Sequence, residues 1–405
     1  MTAAEPDAAE LDAADPLAEY TARFVPSPDV VAYLDGNSLG RPIAATAERF
    51  SSFLTDDWGS RLIRSWDERW FDLPLQLGDR IAAATLGAAS GQTLVGDSTT
   101  VLLYKLARAC VAARPGRDEI VVDTDNFPTD RFVLEGIAAE CGMALRWITP
   151  DPALGVTADQ VAEVVGERTA LVVISHVAYR SGYIADVPAI TRVAHDAGAL
   201  VLWDLCHSAG VIPTRLDEWG VDVAVGCTYK YLNGGPGSPA FAYVRRELQS
   251  GLSQPIQGWM GAGDVFAMAD RYSPAPGMRR FLSGTPPVVG MLALHDMLDL
   301  IEQAGIPAIR AKSLLLTRYV LDWADRNLAE FGVAVVGPRD DAHRGGHVTL
   351  SHPEFRAITA RLWERGIIPD FRFPDGLRIG LSPLSTTFAE VEAGLEAVRE
   401  ELRAG

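Results

Sequence analysis

The chain has 405 residues, 48% of them hydrophobic and 22% charged, which is enough for two domains and a large buried core. Its formal net charge of −17 argues against nucleic acid or an anionic membrane as partner, since both call for clustered cations, and leaves room for one local cationic pocket around a small anion. No apolar run is long and clean enough to span a membrane.

Residues 1–19 are rich in Ala, Asp and Glu, without a basic start or an apolar stretch. No secretory signal is expected there, and the tip is expected to be partly disordered. Asp97-Ser98-Thr99-Thr100 precedes a helical pattern over 101–113. Free N–H groups and hydroxyls at a helix start make an anion site, though simple capping is the better reading of these residues taken alone. A short apolar run at 120–123 reads as a buried strand, followed by Asn126-Phe127-Pro128-Thr129-Asp130. Further strands are expected at 171–175, 200–204 and 223–227, with helices at 158–165 after Thr157 and at 187–197 after Asp186. Strands alternating with helices imply an α/β fold around a mostly parallel sheet, with the site at the carboxyl ends of its strands. Beyond about Pro287 the pattern changes to helices at 291–304 and 308–331, strand-like pieces at 347–351 and 376–380, and helices at 355–365 and 388–403. The expected division is a large domain over 51–287, a smaller α+β domain over 288–405, and residues 1–50 packing with the small domain.

Cys110, Cys141, Cys206 and Cys227 show no C-x-x-C spacing, and three of them sit in apolar stretches. They read as reduced thiols of a cytoplasmic protein, not as a disulfide framework or a metal site. Of the 36 basic residues only Lys105, Lys230 and Lys312 are lysines, so any lysine chemistry must use one of three. Lys105 and Lys312 fall inside helical patterns and are expected to be solvated. Lys230 alone sits at a strand-to-loop junction, between Tyr229 and Tyr231 and ahead of Gly234-Gly235-Pro236-Gly237. A lysine held in such a pocket can act as a Schiff-base amine, although most lysines in turns are merely solvated. Asp204 ends an apolar strand 26 residues earlier. A carboxylate there either caps a helix or pairs with a buried cation such as a pyridinium nitrogen. Phe127 could stack on a flat ring or belong to the core. Ser175, His176 and Tyr179 follow the strand 171–174, and His207 follows Asp204 by three residues, on the same face if that segment is helical. Arg378 lies in an apolar strand and needs an anion, either a substrate carboxylate or a structural partner.

Several segments taken together resemble kynureninase, a pyridoxal 5′-phosphate family of the fold-type I aminotransferase superfamily. They are Leu34-Asp35-Gly36-Asn37-Ser38-Leu39-Gly40, Trp203-Asp204-Leu205-Cys206-His207-Ser208-Ala209-Gly210, Tyr229-Lys230-Tyr231-Leu232-Asn233-Gly234-Gly235-Pro236-Gly237, Gly258-Trp259-Met260-Gly261, Phe281-Leu282-Ser283-Gly284-Thr285-Pro286-Pro287 and Leu377-Arg378-Ile379-Gly380. The resemblance implies that Lys230 carries the cofactor, Asp204 pairs with its ring nitrogen and Phe127 stacks on the ring. Thr99, Thr100 and Tyr229 would hold the phosphate, with Trp259 and Thr285 supplied by a second copy in a homodimer. Asp130, Ser175 and His207 would complete the cofactor shell, Arg378 would take the substrate carboxylate beside Asn37 and Ser38, and Tyr229 would also act as an acid–base group. The implied reaction is hydrolysis of L-kynurenine, or its 3-hydroxy form, to anthranilate or 3-hydroxyanthranilate and L-alanine, in tryptophan degradation. Cys206 stands where many members have alanine, and Ala262 follows Gly261 where some have histidine. Thr285 replaces the asparagine of animal members that favour the hydroxylated substrate, which points to plain kynurenine. The rival readings are a cysteine desulfurase or lyase, a transaminase, and a non-catalytic dinucleotide-binding protein. No cysteine follows Cys227 to serve the first, and no glycine fingerprint supports the last.

Overall fold

The computed structural model describes residues 7–404; the expected disorder at the extreme tip concerns residues that lie mostly outside that range. Within it, Ala8–Ala13 is helical, closed by a capping box between Asp7 and Glu10. In chain order the strands are β1 (Ala32–Tyr33), β2 (Thr93–Gly96), β3 (Glu119–Asp123), β4 (Ala144–Ile148), β5 (Thr169–Ser175), β6 (Leu200–Asp204), β7 (Val223–Gly226) and β8 (Ala240–Val244). They continue with β9 (Ala334–Val336), β10 (His347–Ser351), β11 (Ile367–Ile368), β12 (Asp370–Arg372) and β13 (Gly376–Gly380).

The main sheet has seven strands in the order β2-β8-β7-β6-β5-β3-β4. Strands β7, β6, β5, β3 and β4 run parallel, and β8 lies antiparallel between β7 and β2. The period-2 geometry of a strand sends alternate side chains to opposite faces, and the sequence obeys it. Val201 and Trp203 enter one core with Val172, Ile174 and Ala224. Leu200 and Leu202 enter the other with Leu171, Val173, Val223 and Val225, against Leu102 and Leu106 of the helix Thr99–Ala112. Because both faces are covered, these strands read as unbroken apolar runs. Trp203 is fully buried, and its indole N–H donates to Thr191 Oγ1 at 3.1 Å. β6 therefore delivers Asp204 on the Leu200–Leu202 side of the sheet, toward the start of the helix Thr99–Ala112.

A four-stranded sheet, β12-β13-β10-β9, is built from the C-terminal part. It forms a third core with Leu316, Val320, Phe355, Phe388 and Leu395, which also takes in Ala8, Ala32 and Leu34. β1 pairs in parallel with β11, so the start of the chain is tied to its end. The helix Val288–Ala304 packs instead into the core of the main sheet through Met291, Leu294 and Leu298.

One expectation is corrected. Lys105 and Lys312 are buried, not solvated. Lys105 Nζ donates to Asp97 Oδ2 at 2.6 Å and to the Phe281 carbonyl at 2.8 Å, and Lys312 pairs with Asp15 at 2.6 Å. Both use a long apolar stem to cross the core and reach an acceptor that helical periodicity cannot reveal. The segment after Asp204 is a series of turns and not a helix. Asp204 Oδ1 accepts the Cys206 N–H at 2.7 Å, a side-chain turn that competes with helical bonding. Only Cys110 and Cys227 are fully buried among the four cysteines. Among the described residues no helix is long and apolar enough to cross a membrane.

Candidate active site

A cleft opens at the carboxyl ends of β5, β6 and β7. This is the edge of a parallel sheet where loops diverge and ligands are received. Thr99, Thr100, Phe127, Asp130, Ser175, Asp204, His207, Tyr229 and Lys230 line it, with Thr129, Tyr179 and Cys206. In the parallel pairing Ser175 stands beside Asp204, and Asp204 beside Val225, so the ends of β5 and β6 present their polar residues at one level next to the end of β7. Lys230 follows β7 in a tight turn. Asn233 in that turn has φ +47°, and the Gly40 N–H donates to the Tyr229 carbonyl at 2.8 Å. A Cβ on Gly40 would lie 2.5 Å from the Lys230 carbonyl, so only glycine permits this approach.

Lys230 Nζ lies 2.8 Å from His207 Nε2 and 5.8 Å from the centre of the Phe127 ring. Burial, then the charge of Lys230, holds His207 well below the ordinary imidazole range, so its ring is neutral and Nε2 accepts the lysine proton. His347 packs edge-on to His207 at 5.5 Å and is also kept neutral by burial. Phe127 is held by Asn126, whose side-chain oxygen accepts both the Phe127 N–H at 2.7 Å and the Ser175 hydroxyl at 2.8 Å. The Phe127 ring meets Tyr179 edge to face at 5.4 Å. Asp130 is buried, and burial together with the charges of Asp204 and Asp123 raises its carboxyl well above the usual range. Protonated, it becomes a donor. Burial likewise raises the Tyr229 phenol.

At one side of this cleft Arg378, fully buried on β13, sits in a polar cage. It donates to the Tyr179 carbonyl at 2.8 Å and Ser38 Oγ at 2.8 Å, and pairs with Asp370 Oδ2 at 2.6 Å. The Asn37 amide bridges its Nε, at 3.1 Å, to Asp35 at 3.2 Å. Burial, then the neighbouring Asp370, raises Asp35 to about 6. Arg378, Asn37 and Ser38 thus form one group, joined to the cleft through Tyr179. Trp259 and Thr285 do not line the cleft; both are exposed on the surface of this chain.

Sequence reasoning missed Asn126, Thr129, His347 and Asp370. Asn126 carried a signal, an Asx residue two positions before a proline at a helix start. His347 and Asp370 carried none, because they reach the site from a different sheet, more than a hundred residues downstream of Lys230.

Residues 81–366 match the family model described as aminotransferase class-V. Over 404 residues the chain is 41% identical to a kynureninase of Pseudomonas fluorescens, covering 98% of this chain and 95% of that one. A kynureninase of Burkholderia pseudomallei (strain K96243) is 41% identical over 403 residues, with the same two coverages. Among solved structures, a cysteine desulfurase from Thermococcus onnurineus NA1 superimposes with a TM-score of 0.82 at 20% identity, covering 96% of this chain and 98% of that one. A cysteine desulfurase from Escherichia coli gives 0.80 at 19% identity over the same shares. Likeness at such low identity speaks for the fold alone.

Proposed function

The chain belongs to the kynureninase family within the class-V aminotransferases, and on that premise we propose that the cleft around Lys230 holds pyridoxal 5′-phosphate and hydrolyses L-kynurenine to anthranilate and L-alanine. The observation that carries the reading is the convergence of Lys230, Asp204, Phe127 and the Thr99–Thr100 helix start on one cleft, with a buried arginine at its side.

The donor set fits the cofactor. Asp130 Oδ2 and His207 Nδ1 are buried without a hydrogen-bond partner among the described residues, and both point to a polar group they were built to meet. Thr99 and Thr100, with the unpaired N–H groups of the first helical turn, suit a phosphate dianion. Asp204, fixed by the Cys206 N–H, suits a ring nitrogen, and Phe127 offers a flat face. When bound, pyridoxal phosphate supplies the electron sink that acidifies the substrate Cα and lets the Cβ–Cγ bond break.

The chain's own residues do the rest. Lys230 Nζ would hold the cofactor, and its free amine would take the substrate Cα proton. Neutral His207 accepts a hydrogen bond from Nζ and so holds that amine against the cleft. Arg378 captures the α-carboxylate with Ser38 and Asn37 alongside, and Asp370 keeps the guanidinium aligned while the site waits. Tyr229, kept protonated by burial, donates to the substrate carbonyl as water adds to it.

A homodimer with shared sites accounts for Trp259 and Thr285, which face outward from their own cleft. Leu54, Trp58, Leu62 and Ile63 are exposed apolar side chains close together in the chain, and Phe266, also exposed, meets Phe71 edge to face at 5.4 Å. Residues 51–287, with the helix Val288–Ala304 packed into the same core, serve as the cofactor domain and the rest to 405 as the small domain, while residues 1–50 pack partly on each. The reduced thiols suit a cytoplasmic setting. The test is product release by cofactor-loaded protein. Anthranilate from kynurenine is expected, faster than 3-hydroxyanthranilate from the hydroxylated substrate, and absence of anthranilate sinks the reading.

A further inference from the structure

Cys206 and Cys227 stand side by side at the floor of the cleft, and neither has a part in the chemistry above. Cys206 and Cys227 each lie two residues beyond Asp204 and Val225, the last pair in register between β6 and β7. The sulfurs are already crossed. Cys206 Sγ accepts the Cys227 N–H at 3.2 Å, and Cys227 Sγ lies 3.8 Å from the Cys206 carbonyl. Cys206 lines the cleft and is partly accessible, whereas Cys227 is buried behind it.

We propose that Cys206 and Cys227 form a reversible disulfide when a hydroperoxide enters the cleft, making the pair an oxidative modification site beneath Lys230. In the first step Cys206 sulfur attacks the peroxide oxygen, the O–O bond breaks, and sulfenic acid forms with release of water or an alcohol. In the second, Cys227 sulfur attacks the Cys206 sulfur, the S–O bond breaks, and the disulfide forms with loss of a second water. The two thiols together lose two protons and two electrons, and the peroxide is reduced by two electrons. Cys206 is the accessible sulfur and Cys227 the buried one behind it, so the peroxide meets Cys206 first and Cys227 resolves the sulfenic acid.

The bridge has a consequence for the cleft. Cys206 N–H holds Asp204 Oδ1, and drawing Cys206 toward β7 shifts that turn. An oxidised chain is therefore expected to reload pyridoxal phosphate at least several-fold more slowly. This last readout rests on the cofactor reading; formation of the bridge does not, so the two can fail separately.

The experiment exposes the full-length protein, loaded with pyridoxal phosphate or stripped of it, to hydrogen peroxide, followed by alkylation and peptide mass mapping without reductant. In the stripped protein, loss of two hydrogen masses, a cross-linked peptide pair containing Cys206 and Cys227, and reversal by dithiothreitol are expected, with slower bridging when cofactor fills the cleft. Cys206→Ala and Cys227→Ala should each abolish the cross-link. The proposal is overturned if both thiols stay alkylatable in the stripped protein, or if Cys206 proceeds to sulfinic acid while Cys227 remains free. Equal rates in loaded and stripped protein would overturn the cleft as the route of entry.

Discussion

Arg378 is the residue where chemistry and architecture compete most directly. Its guanidinium is shared between Ser38, Asp370 and a backbone carbonyl, a fork geometry that an ammonium cannot reproduce. Arg378→Lys should raise KM for kynurenine by about 10- to 100-fold, the worth of one or two charged hydrogen bonds, with a smaller effect on kcat. Steady-state kinetics with the folded variant check this. Asp35, two residues before Asn37, makes a different prediction. Its carboxyl rises from 3.8 to about 6 through burial, so the native state binds more protons than the unfolded chain between those values. Stability contributed by this group is therefore greatest below pH 3.8 and is lost as pH rises through 6, a change of about 3 kcal/mol. Asp35→Asn should flatten the fall in denaturant midpoint across that window relative to the parent chain; an unchanged slope would place the raised carboxyl elsewhere.

At the scale of elements, the turn before the helix Thr99–Ala112 depends on Lys105. That lysine ties Asp97, whose φ is +48°, to the carbonyl of Phe281, and so links the proposed phosphate cradle to the segment leading to Thr285. Lys105→Met removes both bonds and should cost about 3 kcal/mol of stability, measurable by equilibrium unfolding, together with weaker cofactor retention. The same residue marks the limit of what could be read from the chain alone. The central strands β3, β5, β6 and β7 were legible because burial on both faces leaves an unbroken apolar run. β2 and β4 were not, since Gly96 in the one and Arg146 and Trp147 in the other break the pattern at the sheet's margins, and β8 was missed although all five of its residues are buried. Lys230, Asp204 and Arg378 stood out as charges in apolar surroundings. Lys105 did not, because a buried lysine and a solvated one look alike on a helix until the partner across the fold is known. Asp370 and His347 were invisible for the same reason.

For the molecule as a whole, the outward-facing Trp259 and Thr285 and the apolar surface around Leu54 and Ile63 lead to one expectation. Leu54→Asp combined with Ile63→Asp should convert a dimer to monomers by sedimentation velocity, and the monomers should bind pyridoxal phosphate at least about tenfold more weakly, for want of the neighbour's contacts. Dimers that persist, or monomers with undiminished cofactor binding, would refute a shared site.

The bond from Arg378 to Ser38 joins residues 340 apart in the chain, and Gly40 lies against the turn of Lys230. During synthesis the amino-terminal half of this pocket therefore waits, unfinished, for a strand made 340 residues later. The lysine turn can form early, but the proposed carboxylate clamp is complete only once that distant strand has folded against it.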